Sequence, residues 1–158
     1  CYLSNTETGE GYNINTKATF TNVMKPTRDV KPFIEITSRY GMDYTKTVIS
    51  CPIKGVAGWG GAMGPAQFIP STWKLVEKRV ASITGSSNPW NAQDSITASS
   101  VYLSDLGATN SYASQIRAAC KYYGSGGTSC SYGKQVMGRV ASIQSDIDYL
   151  KQYGVSRR

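Results

Sequence analysis

Histidine is absent from this sequence of 158 residues, and its four cysteines form no C-x-x-C pair. Histidines and closely spaced cysteines are the usual ligands of zinc, so few metal sites can be built from this composition. No apolar run reaches the roughly 18 residues that span a bilayer. An amino-terminal signal peptide is lacking as well. We therefore expect no metal, no cofactor and no transmembrane segment. If the protein is exported, we expect this sequence to be the form that remains after removal of the signal peptide.

Charged residues are also scarce, at 17%, whereas hydrophobic residues make up 40%. This balance, at this length, predicts one folded domain with its own core. The 17 Lys and Arg residues outnumber the 10 Asp and Glu residues, which gives a net charge of +7. The bases are scattered, apart from Arg157 and Arg158, and form no basic helical face. We therefore expect a loose attraction to anionic cell-wall polymers rather than nucleic-acid binding.

The cysteines predict two disulfides. Cys120 and Cys130 bracket a Gly/Ser-rich loop that a bridge would close, which leaves Cys1 to pair with Cys51. This is one of three possible connectivities, and four reduced buried thiols are the alternative. Disulfides imply an oxidising compartment, so the predicted location is extracytoplasmic: periplasm, cell surface or secreted.

The hydrophobic pattern predicts a mostly α fold with ordered loops. Residues 1–26 are expected to form a loop-rich segment, residues 27–154 the folded domain, and residues 155–158 a basic tail. The only candidate strand is 46–50. Five helices are expected, approximately at 27–40, 72–84, 91–106, 112–123 and 132–153.

Capping residues and apolar stripes define these helices. Asp29 and Ser71 are predicted N-caps, Asn91 and Asp94 a start signal, and Gly41 and Gly85 helix ends. The predicted buried stripes are Val30, Phe33, Ile36 or Thr37 and Tyr40; Ala92, Ile96, Ser99, Leu103 and Leu106; Tyr112, Ile116, Ala119, Cys120 and Tyr123; and Val136, Val140, Ile143, Ile147 and Leu150.

The segment GGAMGPAQFIPSTW, residues 60–73, is the most specific motif in the chain. Its glycines let the backbone approach a ligand closely, and its prolines stiffen the entry into a helix. The segment resembles the Gly-Ala-Met-Gly-x-x-Gln-Phe-x-Pro-Ser motif of the lytic murein transglycosylases. Those enzymes cut the glycan strands of bacterial peptidoglycan.

Three further segments resemble the same family, and all four occur in the family's order. MKPTRDVKPF precedes the Gly-rich motif, NPWNAQDSITASSVYLSDLGA follows it, and KYYGSG resembles a Tyr-Asn-Ala-Gly turn bordering the active site. The resemblance extends from residue 24 to about residue 150. It implies a lysozyme-like catalytic domain that binds peptidoglycan glycan strands.

The resemblance also implies a mechanism based on one Glu. That residue protonates the glycosidic oxygen between N-acetylmuramic acid and N-acetylglucosamine, and its carboxylate then helps the sugar's 6-hydroxyl close onto C1. The product is a 1,6-anhydro sugar, and no second carboxylate is needed. The acid needs a pKa raised by apolar surroundings.

No Glu of this chain occurs in the family's Glu-Ser/Thr-x-x-Gly context. Glu77 is interpreted as a solvated surface charge, and Glu35 as an exposed partner of Arg39. Glu7 and Glu10 lie in a Gly/Thr-rich loop. Glu10 is only a substitute candidate for the catalytic acid. In the branch that this chain resembles, the catalytic Glu precedes a stretch like CYL. The catalytic residue is therefore unknown, and we expect it to lie upstream of Cys1 or to have been lost.

The family resemblance assigns binding roles more directly. Met63, Gln67 and Phe68 resemble the groove floor, where Gln hydrogen-bonds a sugar. Tyr102 matches the Tyr of the following helix, and Tyr122 matches the Tyr that orients the catalytic carboxylate. Tyr123 replaces the family's Asn.

Structural alternatives remain open for several of these residues. Gln67 could be a satisfied polar group at a helix end, and the Tyr102 ring could be part of the core with a solvated hydroxyl. Trp59 could stack on a sugar or pack over the Cys51 bridge. Trp73 and Trp90, which follow helix-start prolines, are expected to be core residues or hydrophobic staples.

Two other functions compete with a transglycosylase. A catalytically silent wall-binding or structural module could use the same fold. A basic protein that attaches to nucleic acid or to an anionic surface is the more distant alternative.

Overall fold

The computed structural model describes residues 1–3, 10–13, 18–21, 23–53 and 58–154. The protein is mostly helical and contains two disulfides, Cys1–Cys51 and Cys120–Cys130. The predicted connectivity is therefore confirmed. The chain divides into two compact units, Cys1–Val101 and Tyr102–Arg158. Glu7 lies outside the described residues, as do the four residues of the expected basic tail.

Three short strands occupy part of the segment that was predicted to be loop. They are β1 (Tyr2–Leu3), β2 (Glu10–Asn13) and β3 (Ala18–Thr21). They form an antiparallel sheet in the order β1-β2-β3, with Leu3 opposite Gly11 and Glu10 opposite Thr21. The loop prediction was wrong for these residues, because backbone pairing between neighbouring strands does not need a strong alternating pattern. The candidate strand at 46–50 does not form a strand.

Helix α1 (Lys31–Arg39) follows a single π-helical turn, Pro26–Val30. Phe33, Ile36 and Thr37 are buried on one face, as the stripe predicted, and Gly41 follows with a φ of 64°. Asp29 does not cap this helix. Its buried carboxylate instead accepts hydrogen bonds from the Arg28 side chain and from the backbone N–H of Ser71.

Helix α2 (Pro70–Thr84) contributes the centre of the first unit's core. Trp73, Val76 and Val80 are fully buried along one side. Gly85 ends the helix in a left-handed conformation, as predicted. Ser71 is not the N-cap, because Pro70 starts the helix and Ile69 holds the capping position without a side-chain bond. Asp29, distant in the sequence, supplies an acceptor to this helix end instead.

Helix α3 (Ala92–Asp105) begins where the Asn91 signal predicted, since the Asn91 side chain accepts a hydrogen bond from the Asp94 N–H. The predicted stripe was wrong, however. Ala92 and Ile96 are exposed, and Asp94, Ser95 and Ala98 are buried instead. The other three stripe residues are partly buried: Ser99, Leu103 and Leu106.

Polar bonds explain why α3 buries this face. The Asp94 carboxylate accepts hydrogen bonds from the Ser86 hydroxyl and the Asn88 N–H, both at 2.7 Å. Ser95 donates to the Pro89 carbonyl at 2.6 Å. This network fixes the helix face against the preceding loop, and apolar spacing alone does not reveal it.

The second unit contains α4 (Tyr112–Tyr122) and α5 (Ser131–Tyr153). The two helices pack together at Gly133, where an added Cβ would collide with the Cys120 sulfur and with Ile116. Ile116, Ala119 and Cys120 are buried, as predicted, but Tyr112 and Tyr123 are exposed. On α5 the predicted stripe is present, but its members from Val140 to Leu150 are exposed rather than buried.

Candidate functional site

The Gly-rich motif forms a tight turn. Met63 and Phe68 face each other as an isolated antiparallel bridge, with the Met63 N–H donating to the Phe68 carbonyl at 2.8 Å. Between them, Gly64 and Gln67 both have positive φ, at 61° and 56°. Gln67 is the only non-glycine residue with positive φ in the described part of the chain. Such backbone strain is concentrated at functional sites, which makes the residue a candidate for a binding role.

At two positions of the motif, the neighbouring backbone lies so close that only glycine fits. A Cβ on Gly64 would overlap the carbonyl group of Pro89, and a Cβ on Gly60 would overlap the backbone of residues 50–52. The Gly61 N–H donates to Ser50 at 2.8 Å, and the Ser50 N–H donates to Ala62 at 2.9 Å. The Gly-rich segment is thus fastened along Ser50, which fixes where the turn begins.

Met63 and Phe68 attach the turn to the core of the first unit. Both side chains are buried, and the Phe68 ring meets the Trp73 ring edge to face at 5.5 Å between centroids. Neither residue lines the adjacent groove. Their side chains complete the core beneath the turn.

An open groove of about 630 Å³ adjoins the turn. This volume lies within the usual range of ligand sites, roughly 300 to 1,000 Å³. Gln67 and the half-buried Trp90 contribute to its wall. The remaining lining residues are Met42, Asp43, Lys46, Thr47, Val48, Ile49, Ser50, Ala62 and Gly64.

Gln67 lies at this groove with its side chain exposed. Its amide nitrogen donates to the Gly64 carbonyl at 2.7 Å. The amide oxygen makes no hydrogen bond with any residue that the structure describes. The local bond holds the side chain, and the oxygen can accept a hydrogen bond from a ligand's hydroxyl or amide group.

Asp43 is the one acidic residue among the groove's described lining residues, and the sequence interpretation did not identify it. Hydrogen bonds from the Thr45 hydroxyl and the Thr45 N–H hold the pKa of Asp43 below its ordinary value. Asp43 is therefore a carboxylate at neutral pH and is unsuited to donate a proton. The spacing Asp-x-Thr, typical of a local side-chain turn, was the sequence feature that could have indicated it.

Glu35 and Glu77 are not among the residues that line this groove. Glu77 is only 6% exposed and pairs with Arg39 at 2.9 Å and with Lys74 at 2.8 Å. The prediction of a solvated Glu77 was therefore wrong. Burial alone would raise the pKa of Glu77, but hydrogen bonds from Lys74 and Arg39 outweigh burial and lower it. Glu35 is exposed, as predicted, but its partner is Lys74 at 3.5 Å rather than Arg39. Glu10 is described only by its backbone, in β2.

Cys1 is joined to the groove wall by its backbone. The Cys1 backbone nitrogen donates to the Ile49 carbonyl at 3.0 Å, and the Ile49 N–H donates back to the Cys1 carbonyl at 2.9 Å. Ile49 lines the groove, so Cys1 is hydrogen-bonded directly to a residue of the groove wall.

The tyrosines with predicted roles lie in the second unit. Tyr102 and Tyr122 are half-buried and meet edge to face, with ring centroids 5.6 Å apart. Tyr123 is exposed and stacks on Tyr132 at 4.8 Å. Each pair offers aromatic surface of the kind that packs against sugar rings.

The three tryptophans occupy different environments. Trp73 is fully buried, as expected, whereas Trp90 is only partly buried and lines the groove. Trp59 is 45% exposed. Trp59 and Trp90 are therefore the indole rings that a ligand of the first unit could reach.

No group of three or more potential metal ligands is found among the residues that the structure describes. None of the described helices is long and apolar enough to cross a membrane.

Comparisons with protein-family models, with curated proteins and with solved structures find no match to this chain.

Proposed function

We propose that this chain is part of a lysozyme-like, lytic transglycosylase domain that binds peptidoglycan glycan strands. The observation that carries the proposal is the strained Gln67 at the edge of an open groove. A polymer needs a groove that is open along its length, and its polar groups need fixed hydrogen-bonding partners. The four family-like segments of the sequence add to this observation, and the two disulfides fit an extracytoplasmic location.

The catalytic acid in this proposal is a Glu that precedes Cys1 in the full protein. The pairing of Cys1 with Ile49 supports this placement, because a segment joined to Cys1 would start beside a residue of the groove wall. Such a Glu would donate a proton to the glycosidic oxygen as the C1–oxygen bond breaks. Its carboxylate would then take the proton of the 6-hydroxyl while that oxygen bonds to C1, and a 1,6-anhydro end would result.

A silent wall-binding module is the second candidate. It is favoured by the chemistry of the groove's carboxylate, since the pKa of Asp43 is lowered, whereas a general acid needs a raised one. In this case Gln67 and the exposed aromatic rings would bind glycan without cleavage.

One experiment separates the two candidates. Purified peptidoglycan is incubated with this chain and with a version extended upstream of Cys1, and the soluble products are identified by mass spectrometry. Anhydro-muropeptides from the extended protein, and none after its upstream Glu is changed to Gln, would support the enzyme. Glycan binding by both proteins without anhydro products would support the module.

Gln67 gives a separate test of the groove itself. Gln67→Asn tolerates a positive φ but shortens the reach of the amide. The loss of one hydrogen bond should weaken binding of soluble glycan fragments roughly fivefold. Gln93→Asn, at an exposed position of α3, is the matched control and should leave binding unchanged. Equal affinity in both variants would contradict a binding role for Gln67. Tight binding to DNA at physiological salt, without glycan binding, would favour the nucleic-acid alternative instead.

A further inference from the structure

Helix α5 presents an apolar stripe that its own unit does not cover. Val140, Ile143, Ile147 and Leu150 are 45%, 55%, 40% and 44% exposed, respectively. The beginning of the helix packs against α4 at Gly133, but every residue from 138 to 148 is exposed. Isolated helical segments of this length are only marginally stable in water. A regular apolar face on such a segment indicates a missing partner.

The spacing of the stripe is that of a coiled coil. Its four residues are separated by three, four and three positions, which places Val140 and Ile147 at heptad position a and Ile143 and Leu150 at position d. Strict a/d spacing defines a narrow seam that fits one other helix, whereas a wider stripe is typical of packing into a globular core. β-branched residues at a, with Leu at one d position, favour a parallel pair of helices.

We propose that this stripe pairs with the same stripe of a second copy of the chain in a parallel, two-stranded arrangement. The proposal concerns the second unit alone and does not depend on the proposed function. The charges beside the stripe argue for a second copy as the occupant. When Ile147 is at position a and Leu150 at position d, Asp146 lies at position g and Lys151 at position e. In a parallel pair, residue g of one helix faces residue e of the next heptad in the other helix.

Charge complementarity then selects the direction of pairing. In the parallel arrangement, Asp146 of each copy faces Lys151 of the other, which gives two attractive pairs. An antiparallel arrangement that matches all four apolar residues would place Asp146 beside Asp146 of the second copy. Like charges at that position would oppose association.

The seam is short, so we expect a weak dimer. Four apolar residues on each helix make an interface below the size of stable complexes. Sedimentation equilibrium should follow the average mass of the oxidised chain from 17.1 kDa toward twice that value. We expect this rise between about 10 μM and about 1 mM protein.

Substitutions test the seam and its direction separately. Ile147→Ser should abolish the rise in mass, whereas Gln152→Ser, outside the a, d, e and g positions, should leave it unchanged. Asp146→Asn should weaken the parallel dimer about threefold. Asp146→Lys should weaken it further, and the double variant Asp146→Lys/Lys151→Asp should restore it. Since Asp146, Ile147, Lys151 and Gln152 are all exposed, circular dichroism should confirm an unchanged helix content in each variant.

Three results would overturn the proposal. The chain could remain at 17.1 kDa at the highest concentration. Ile147→Ser could associate as the original chain does, which would place the interface elsewhere. Asp146→Asn could strengthen association, which would indicate the antiparallel arrangement.

Discussion

The turn at 63–68 and helix α5 use their apolar residues in opposite ways. In the turn, Met63 and Phe68 are buried, and the two exposed residues between them are Pro65 and the polar Gln67. On α5, the most regular apolar stripe of the chain is exposed. The irregular segment is thus the more completely packed of the two. Regular hydrophobic spacing identifies a face that needs a partner, but it does not identify the partner.

The two regions should therefore respond differently to substitution. The turn depends on contacts between backbone segments, which cannot move apart without loss of the fold. The α5 stripe contributes little to the folding of one chain, because its residues remain largely in water.

Gly64→Ala should destabilise the protein most, by at least about 3 kcal/mol. The added methyl group would overlap the Pro89 carbonyl, and the residue would also be held at a φ of 61°. Gly41→Ala is the control, because Gly41 has a similar φ of 64° but open space around its Cβ. It should cost only about 1 kcal/mol. Urea unfolding measures both, and equal losses would show that the close approach to Pro89 is unimportant.

Ile36→Ala and Ile143→Ala form a matched pair across the two regions. Ile36 is fully buried on α1, so its truncation should cost about 3 kcal/mol. Ile143 is 55% exposed, so its truncation should cost less than about 0.5 kcal/mol in dilute protein. Urea unfolding at low concentration compares them. A large loss at Ile143 would mean that the stripe is already covered within one chain.

Glu77→Gln should cost about 2 kcal/mol, because it removes the anion that faces Arg39 and Lys74. Glu35→Gln is the control, since that carboxylate is exposed and lies 3.5 Å from Lys74. Its loss should cost less than about 0.5 kcal/mol. Thermal unfolding at pH 7 distinguishes the two, and similar values would contradict a buried role for Glu77.

The stabilisation from Glu77 should also depend on pH. Its pKa is lower in the folded protein than in the unfolded chain, so the unfolded state binds the proton more tightly. The difference in unfolding free energy between the original protein and Glu77→Gln should be constant above about pH 5. It should shrink as the pH falls through the folded-state pKa. A difference that grew on acidification would contradict the assigned direction of the shift.

Local features of the fold could be predicted from the sequence. Gly85 and Asn91 mark helix boundaries through bonds to residues near them in the chain, so their roles follow from short spacing alone. The cysteine pairing was also predictable, because Cys120 and Cys130 flank one short loop. These features depend on few residues, and each has a strong stereochemical preference.

Features that depend on distant residues were not predictable. Asp29 serves the beginning of α2 rather than its own helix, because folding brings it to Ser71. Glu77 is buried because Arg39 neutralises it from another helix. Likewise, the motif indicated Gln67 as a binding residue. The Asp-x-Thr spacing could indicate a local turn at Asp43, but not that Asp43 lines the same groove as Gln67. Such long-range polar pairs leave no periodic trace in the sequence.

The Cys130 sulfur performs two structural tasks at the start of α5. It closes the bridge to Cys120, and it accepts a hydrogen bond from the Gly133 N–H at 3.2 Å. A helix is stiff, so its rotation about its own axis at one end determines the direction of side chains further along. Ile147 lies roughly 25 Å from Cys130 along that axis. The direction in which the exposed stripe points relative to α4 therefore depends in part on this disulfide, several helical turns away. Reduction of the disulfide should change that direction without altering the residues of the stripe.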